Sequence, residues 1–455
     1  MIEQVTAYID ENRNEFVNRL QGFLRIPSIS TDASYNDATR QAAEWVRSHF
    51  EWCGIEASIV ETSRHPCVIA DSGPNGGGPT ILVYGHYDVQ PIGDPSLWTS
   101  PPFEPRIDNG RLFARGSADD KGQVTTHLMA AEAWMKAAGK LPIRVKYLIE
   151  GEEEIGSPNL LDLIKQQRDR LACDYIAISD TSKFDEKTPA ITYGTKGLVY
   201  KEITITGPDS DKHSGSFGGT IVNPANELAR IIASLKDDKN RITIPGFYDD
   251  VRKLSKSERK RLAELPFSDK KYAKLLGVTR LAGEKGYTTL ERRWTRPTLD
   301  VCGLFGGYQG PGSSTIIPAK VGAKVSMRLV PDQNPSKISK LFDKAVMAAA
   351  SPGVKVSIQN FGNYAAYVSP MDTDGMNAAI AAVEKGFNRA PVLIREGGSL
   401  PILPMFKKVL GADSIMMGFC LPNCNAHGPN EFFDLDDFHN GIRSAAHFLN
   451  ELASQ

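Results

Sequence analysis

Short apolar runs that alternate with helical segments restrict the fold of this 455-residue chain more than any other feature. Hydrophobic residues recur at helical spacing over the first 24 positions and again over residues 38–53. Strands that alternate with helices favour a sheet covered by helices, so the sequence predicts an α/β/α sandwich with a mixed sheet. The runs with the length and composition of buried strands are 67–70, 80–84, 145–149, 175–179 and 414–419.

The middle of the chain has a different pattern, which predicts a second domain inserted into the first. The length exceeds what one hydrophobic core usually supports. Strand-like residues at 191–206 are followed by a Ser/Gly-rich loop, by helices and by another strand at 323–330, and the first pattern returns after Val368. We therefore expect a discontinuous domain of residues 1–190 and 368–455, and an inserted α+β domain of residues 191–367.

The charge balance limits the classes of partner. Fifty-three basic and 54 acidic residues are well mixed and give a net charge of −1, so no broad field attracts nucleic acid or an anionic membrane. No apolar stretch approaches the roughly 18 residues that a membrane span needs. The first residues are acidic and amphipathic, and the six cysteines are scattered, so we expect a cytoplasmic protein with reduced thiols and a small-molecule substrate.

A histidine and an aspartate follow the strand predicted at 80–84, where an open α/β fold places its ligands. His86 offers a nitrogen that can bind a metal ion. Asp88, two residues further on, can accept a hydrogen bond from the other ring nitrogen. Taken alone, the pair is better explained as a structural histidine held by a neighbouring carboxylate.

Two acidic clusters change that interpretation. Asp119 and Asp120 stand between two glycines at the start of a predicted helix, where one carboxylate suffices as a cap and the other is free to bridge two cations. Three consecutive glutamates, 152–154, directly follow the strand predicted at 145–149. A buried cluster of like charges has to be protonated unless cations balance it, and a dinuclear metal site resolves this conflict.

Asp180 and His427 also follow strands of the predicted sheet, although each alone has an ordinary structural explanation. Together the candidate residues supply two imidazoles and three carboxylates, a mixture that zinc or manganese accepts. The candidate metal ligands are His86, Asp119, Glu154, Asp180 and His427.

An ordered set of motifs spans most of the chain: GHYDVQP, RGSADDKG, EGEEEIGS, DYIAISD, HSGSFGG, MRLVP and NAHGPNE. The set resembles the co-catalytic metallopeptidases that include carboxypeptidase G, aminoacylase, acetylornithine deacetylase and carnosinase, and is most similar to the branch of carnosinase and cytosolic nonspecific dipeptidase. The resemblance implies a phosphorylase/hydrolase-like catalytic domain with an inserted ferredoxin-like domain that serves as lid and dimerisation domain.

The resemblance also implies roles for the candidate ligands. Asp119 bridges two divalent cations, with zinc as the first expectation and manganese or cobalt as alternatives. His86 and Asp180 bind one cation, and Glu154 and His427 bind the other. The Asp119–Asp120 peptide bond is expected to be cis.

Two acidic residues beside the ligands receive roles from the same resemblance. Glu153 is the general base that activates the attacking water and later protonates the leaving amine. Asp88 orients His86. The chemistry of the sequence alone does not separate Glu153 from Glu152.

Four residues between positions 213 and 399 resemble substrate-binding residues of the family. His213 corresponds to a histidine that the partner subunit delivers to stabilise the oxyanion, which implies a homodimer. Arg328 corresponds to an arginine that grips the free carboxylate of the substrate, and Gly398 and Ser399 correspond to a loop that binds the same end. Without the resemblance, each of these residues has an ordinary explanation. His213 would be a solvated loop residue, Arg328 would form a salt bridge at a sheet edge, and Gly398 and Ser399 would form a plain turn.

The sequence therefore predicts a metallohydrolase that cleaves dipeptides or short peptides with a free C-terminal carboxylate. A deacylase of N-acyl or N-carbamoyl amino acids with the same architecture stays open as an alternative. A peptide-binding relative without catalytic activity is the alternative from a different class, against which Glu153 and the complete ligand set argue. No nucleic-acid motif accompanies the balanced charge.

Overall fold

The chain forms two structural units, which the computed structural model describes over residues 1–74 and 77–455. Each unit has its own sheet and its own buried core. The first unit is discontinuous, because the second interrupts it twice. The first unit consists of Met1–Tyr193, Ser369–Ile394 and Ile402–Gln455, and the second of Gly194–Val368 and Arg395–Pro401.

The segment 395–401 differs from the expected division, which assigned it to the first domain. Its contacts explain the difference, because the N–H of Glu396 donates to the carbonyl of Gly194 at 2.8 Å. The guanidinium of Arg395 also pairs with Glu258 in a helix of the second unit. The loop that carries Gly398 and Ser399 therefore belongs to the inserted unit.

The first unit is built on an eight-stranded mixed sheet, which confirms the predicted sheet class. Strand Ile81–His86 pairs in parallel with both of its neighbours, and strand Tyr175–Ile178 pairs in parallel with Asp413–Met416. Antiparallel pairs occupy one edge. In sheet order, the strands are Glu56–Val60, Cys67–Asp71, Val145–Glu150, Ile81–His86, Tyr175–Ile178, Asp413–Met416, Ala190–Thr192 and Val392–Ile394.

Helices cover both faces of this sheet. The ring of Tyr84 contacts Phe406 in helix Ile402–Leu410, at a centroid distance of 5.2 Å. The next residue, Gly85, faces Val124 in a different helix, and successive strand residues point to opposite faces. The helices of the first unit are Ile2–Glu11, Arg13–Leu24, Asn36–Cys53, Lys121–Ala138, Leu160–Gln166, Arg168–Leu171, Asp374–Phe387, Ile402–Leu410 and Leu435–Ala453.

Short elements complete the first unit. Three strands, Arg106–Asp108, Arg111–Phe113 and Phe432–Asp434, form a small antiparallel sheet. Single 3₁₀ turns lie at Ala33–Tyr35, Pro95–Leu97 and Glu153–Ile155. Among the described residues of the whole chain, no helix combines the length and the apolar character needed to cross a bilayer.

The second unit contains a four-stranded antiparallel sheet with helices Pro224–Ser234 and Pro335–Ala349 packed against it. Burial alternates along strand Gly197–Thr206, so one face of the sheet meets the core. The chain order strand–helix–strand–strand–helix–strand confirms the ferredoxin-like topology. In sheet order, the strands are Thr298–Gly306, Lys320–Leu329, Gly197–Thr206 and Lys355–Tyr364.

Smaller elements surround this sheet. Two-residue strands form the pairs Lys212–His213 with Ile316–Ile317 and Gly194–Thr195 with Tyr367–Val368. The further helices are Ser214–Phe217, Lys256–Glu264, Asp269–Leu275 and Thr289–Thr295.

Candidate metal centre

The carboxyl edge of the parallel strands gathers the candidate ligands of the first unit. His86 is the last residue of its strand, and Asp180 lies two residues beyond strand Tyr175–Ile178. Glu154 lies in the 3₁₀ turn that follows strand Val145–Glu150. Because parallel strands end at the same edge, side chains from separate parts of the sequence meet there.

Asp119 stands between two groups of candidate ligands. Its Oδ1 lies 3.2 Å from Nε2 of His86, which lies 4.0 Å from Oδ2 of Asp180. Its Oδ2 lies 2.9 Å from Nε2 of His427, which lies 3.3 Å from Oε2 of Glu154. In each group of three, the possible ligand atoms lie within 4.8 Å of one another. The structure thus brings together all five predicted ligands in the predicted grouping.

Two buried atoms at this site lack hydrogen bonds that would explain their burial. Among the residues that the structure describes, neither Nε2 of His86 nor Oε1 of Glu154 has a hydrogen-bond partner. Buried polar atoms are normally satisfied, so such atoms indicate a missing ligand. Imidazole nitrogens and carboxylate oxygens are donors that zinc and similar divalent cations accept. The donor set therefore fits two divalent cations.

The pKa values of the cluster also favour the binding of cations. Burial raises the pKa of Asp180 to about 7, and the charge of Asp119 adds to that rise. Hydrogen bonds to Asp119 and Glu154 raise the pKa of His427 to about 10, although burial opposes the shift. The cluster therefore retains protons that divalent cations would replace on binding.

The backbone around the ligands has two unusual features. The Asp119–Asp120 peptide bond is cis, as the resemblance implied. His427 has a φ of 63°, in the left-handed region, which costs a non-glycine residue about 1–3 kcal/mol. Such conformations persist where surrounding contacts hold them, and they are concentrated at functional sites.

Asp88 contacts both His86 and the turn that carries Glu153 and Glu154. Nδ1 of His86 lies 3.0 Å from the backbone carbonyl oxygen of Asp88, and the carboxylate is further away at 3.4 Å. The carboxylate instead accepts hydrogen bonds from the Ser30 hydroxyl and from the backbone N–H groups of Glu153 and Glu154. Asp88 therefore orients the histidine mainly through its backbone, and its side chain fixes the turn that carries the two glutamates.

Glu152 and Glu153 have different surroundings, which separates two residues that the sequence left equivalent. The Glu152 carboxylate accepts hydrogen bonds from the Thr62 hydroxyl, from the N–H of His65 and from the side-chain amide of Asn159. In contrast, the Glu153 carboxylate forms no hydrogen bond within the described parts of the chain.

The pKa of Glu153 lies well above its usual value because of burial, and the charges of Asp180 and Glu154 add to the rise against the opposing effect of His86. A carboxyl group with a raised pKa and no structural partner suits proton transfer.

Sequence reasoning missed two residues that contact the ligands or their loops. The amide of Gln90 donates to Oε2 of Glu154 at 2.8 Å. The carboxylate of Glu431 accepts the N–H of Asp119 at 3.0 Å. Both lie inside the motifs GHYDVQP and NAHGPNE, so their position beside the ligands was the available signal.

Arg328 and Ser399 meet in the second unit, as expected for a shared carboxylate site. Nη1 of Arg328 donates to Oγ of Ser399 at 3.0 Å. The carbonyl of Gly398 accepts the N–H of Lys196, a buried lysine that the sequence did not single out. Burial and the neighbouring Arg328 lower the pKa of Lys196 to about 7.

Neither cation of this pair has a carboxylate partner among the residues described. The guanidinium of Arg328 is partly buried, and within that part of the chain it forms no salt bridge, which was considered as its alternative role. Nζ of Lys196 donates to the carbonyl of Arg292, its one hydrogen-bond partner among the described residues. A buried lysine and a partly buried arginine lie beside a hydroxyl, and within the described residues neither cation is paired with a carboxylate, so the site suits an anion.

His213 is exposed on the short two-stranded pair of the second unit. Its Nδ1 accepts hydrogen bonds from the N–H groups of Gly215 and Ser216, at 3.0 and 3.2 Å. The ring proton therefore resides on Nε2, which is left as an outward-facing donor. This tautomer is the one that can donate to an oxyanion.

Comparisons with known proteins identify the family of this chain. A family model described as peptidase family M20/M25/M40 matches residues 82–451. The Cys-Gly metallodipeptidase dug1 of Schizosaccharomyces pombe is 31% identical over 469 aligned positions, which cover 100% of this chain and 98% of the relative. The Beta-Ala-His dipeptidase of Homo sapiens is 28% identical over 471 positions, which cover 100% and 93% respectively.

A solved structure has the same fold over nearly the whole chain. The M20 family metallo-carboxypeptidase Sso-CP2 from Sulfolobus solfataricus is 34% identical, with a TM-score of 0.87 over 97% of this chain and 100% of that one. The family match includes every candidate ligand and Glu153, and it confirms the resemblance that the motifs indicated. The chain therefore belongs to peptidase family M20/M25/M40 and is a metal-dependent peptidase.

Proposed function

We propose that this chain hydrolyses dipeptides and short peptides that have a free C-terminal carboxylate. The observation that carries the proposal is Asp119, whose two carboxylate oxygens each face a different histidine within a separate group of ligands. The names of its relatives support the substrate class, because they are a Cys-Gly metallodipeptidase and a Beta-Ala-His dipeptidase.

The cofactors would be two divalent cations, with zinc as the first choice and manganese or cobalt as alternatives. His86 and Asp180 would hold one, Glu154 and His427 would hold the other, and Asp119 would be shared. When bound, such cations supply Lewis acidity that polarises a carbonyl and lowers the pKa of water.

Glu153 would act as the general base. Its carboxylate forms no hydrogen bond with any described residue, and its backbone N–H is held by the carboxylate of Asp88. It would take a proton from the attacking water and return that proton to the amine as the C–N bond breaks. Gln90 would keep the neighbouring Glu154 in place.

Arg328, Lys196 and Ser399 would bind the C-terminal carboxylate of the substrate, with the Gly398 loop supporting them. Neither cation has an ion-pair partner among the described residues, so a substrate carboxylate would supply one, which favours substrates with that group. The same feature selects against internal peptide bonds of long chains, because these have no carboxylate at the required distance.

His213 would serve the active site of a partner subunit in a homodimer and would stabilise the oxyanion through Nε2. Its outward-facing donor and the absence of a partner for Nε2 among the described residues support this role. The second unit would then act as both lid and dimerisation domain. Six free thiols support a reducing, cytoplasmic environment.

A substrate panel tests the proposal against the deacylase alternative. The protein is loaded with zinc, manganese or cobalt and assayed on Ala-Ala, Cys-Gly, β-Ala-His, acetyl amino acids, N-carbamoyl amino acids and dipeptide amides. We expect turnover of dipeptides with a free carboxylate and much slower turnover of their amides. Preferential cleavage of the acetyl or N-carbamoyl compounds would replace the proposal with the deacylase. A metal-loaded protein that binds dipeptides without cleaving any of them would replace it with the peptide-binding relative.

A further inference from the structure

The carboxylate of Glu431 is fully buried and accepts four hydrogen bonds from one short loop. Its Oε1 accepts the N–H groups of Ala118 and Asp119, at 2.9 and 3.0 Å. Its Oε2 accepts the N–H of Gly116 at 3.0 Å and Nη1 of Arg115 at 2.6 Å. All four donors lie within residues 115–119, the segment that ends at the shared candidate ligand.

Glu431 itself lies on the loop of His427, so its side chain joins two ligand-bearing loops. Its backbone carbonyl also accepts the N–H of Ala114 at 3.1 Å. The backbone of Asp119 is thereby fixed relative to His427, whose Nε2 lies 2.9 Å from a carboxylate oxygen of Asp119. A shift of Glu431 would change the direction in which the Asp119 carboxylate points.

Arg115 extends this connection to a third loop. While Nη1 pairs with Glu431, Nη2 donates to the carbonyl of Pro91 at 3.0 Å. Pro91 follows Gln90, which donates to Glu154, and the same loop contains Asp88 and begins directly after His86, the last residue of its strand. One buried ion pair therefore contacts the loops that present candidate ligands from both groups.

We propose that Glu431 is a positioning residue that sets the affinity of the centre for its cations by fixing the backbone of Asp119. The inference rests on the proposed metal centre, and it adds a residue that binds neither cation nor substrate. Partners that orient metal ligands typically change metal affinity by about 10–100-fold when they are replaced.

Glutamine has nearly the same shape as glutamate, but it cannot accept all four of these hydrogen bonds. Its amide has one acceptor oxygen and an NH₂ group that only donates. In either orientation, the NH₂ group of Glu431→Gln would face two of the four donors, and those donors would lose their acceptor. The loop of Asp119 has to shift to relieve this conflict.

A matched control exists in the second unit. Glu284 is buried and forms a two-bond pair with Arg296, at 2.7 and 2.8 Å. Glu284→Gln therefore makes the same chemical change at a buried Arg–Glu pair within the unit that holds none of the candidate ligands. A general effect of losing such a pair would appear in both variants.

The experiment compares purified metal-free wild-type protein, Glu431→Gln and Glu284→Gln. Zn²⁺ and Co²⁺ are titrated by calorimetry, and Co²⁺ coordination is also followed by visible absorption. We expect both variants to unfold at lower temperature without metal, and only Glu431→Gln to bind cations about 10–100-fold more weakly. The Co²⁺ spectrum should change only in that variant.

Wild-type affinity in folded Glu431→Gln would overturn the inference, and so would an equal loss in Glu284→Gln. If Glu431→Gln does not fold, metal affinity is measured in Glu431→Asp instead. This variant keeps the charge that pairs with Arg115, but its side chain is too short to reach all four donors. Unchanged affinity in Glu431→Asp would then overturn the inference. Failure of the wild-type protein to bind two cations would instead contradict the proposed centre itself.

Discussion

At the scale of single residues, neighbouring side chains with the same chemistry have different tasks because their hydrogen bonds differ. The carboxylate of Glu152 is occupied by the Thr62 hydroxyl, the His65 N–H and the Asn159 amide. The Glu153 carboxylate has no such partners within the described residues and lies among charges of the candidate ligands. Loss of the Glu152 carboxylate should therefore lower the stability of the protein, and loss of the Glu153 carboxylate should lower the rate of the reaction.

We expect Glu153→Gln to lower kcat by about 10²–10⁴-fold, the usual contribution of a general base, while metal binding is retained. Glutamine cannot take the proton from water, although it fills the same space. The measurement is steady-state turnover of a dipeptide by metal-loaded protein, together with metal stoichiometry. Glu152→Gln is the matched control, and it should lower the unfolding temperature more than kcat. Equal turnover by Glu153→Gln and wild-type protein would remove Glu153 as the base.

Lys196 provides a second prediction at this scale. Lys196→Met keeps the length of the side chain but removes its charge, so a substrate carboxylate would lose one charged hydrogen bond. Such a bond contributes about 1.5–3 kcal/mol, which corresponds to a loss of about 10–100-fold in kcat/KM. Dipeptide amides, which lack the carboxylate, should change little. The measurement is kcat/KM for Ala-Ala and for its amide.

Lys201→Met is the control for this prediction. Lys201 lies in strand Gly197–Thr206, which begins directly after Lys196, and it is also buried, but it pairs with Asp343 at 2.9 Å. Its loss should lower stability and leave the ratio of the two substrates unchanged. If Lys196→Met affects the peptide and its amide equally, Lys196 does not bind the carboxylate.

The surroundings of Lys196 and the hydrogen-bond partners of Asp88 could not be predicted from the sequence. Ligand types were predictable because histidine and acidic residues followed apolar runs. Lys196 has no such context, and its burial beside Arg328 arises only when distant strands pair. The Asp88 carboxylate accepts hydrogen bonds from the Ser30 hydroxyl, 58 residues away, and from backbone N–H groups 65 and 66 residues away, which no local pattern contains.

At the scale of elements, the start of helix Lys121–Ala138 fixes the loop of Asp119. A Cβ atom on Gly122 would lie 1.8 Å from the carbonyl oxygen of Ser117 and 2.5 Å from Cδ1 of Phe433. The N–H of Gly122 donates to the carbonyl of Gly116 at 3.3 Å. The loop thus folds back on the first turn of the helix at a distance that only glycine allows.

We expect Gly122→Ala to destabilise the protein by about 1–3 kcal/mol, as overpacking does, and to weaken metal binding because the loop must move. Gly22→Ala is the control, because Gly22 lies in helix Arg13–Leu24 and no atom lies within 4 Å of its built Cβ. That change should stabilise by about 0.4–1 kcal/mol. The measurements are unfolding temperature and metal titration. Similar effects of the two substitutions would contradict the packing argument.

The central strands were predictable because short, largely apolar runs favour strands that are buried on both faces, and strands such as Val145–Glu150 are buried throughout. The place of segment 395–401 in the second unit was not predictable, because it depends on contacts with Gly194 and Glu258. Two-residue strands such as Lys212–His213 are too short to leave a periodic pattern.

At the scale of the whole molecule, the two units supply different chemistry. The first contains every candidate cation ligand and Glu153, and the second contains Arg328, Lys196 and His213. The sequence analysis placed Arg328 and His213 in the inserted domain, because their motifs lie between those of the first unit along the chain, whereas Lys196 was not predicted. If the unit with His213 serves a partner subunit, a complete active site needs two chains.

Mixing two inactive variants tests that requirement. We expect Glu153→Gln and His213→Ala each to be nearly inactive as homodimers. In a hybrid dimer, the site built on the His213→Ala chain has its own Glu153 and receives His213 from its partner, so one of the two sites is complete. Random assembly makes about half of the dimers hybrids, which gives about a quarter of wild-type activity after co-expression.

The control places both substitutions in one chain and co-expresses it with wild-type chain. Every hybrid site then lacks either Glu153 or the delivered His213, so only wild-type homodimers work, again at about a quarter of wild-type activity. If His213 instead acts on its own chain, the two single variants in mixture would stay inactive, and the control mixture would reach about half of wild-type activity. The two mixtures together therefore decide whether His213 acts within its own chain or across the dimer.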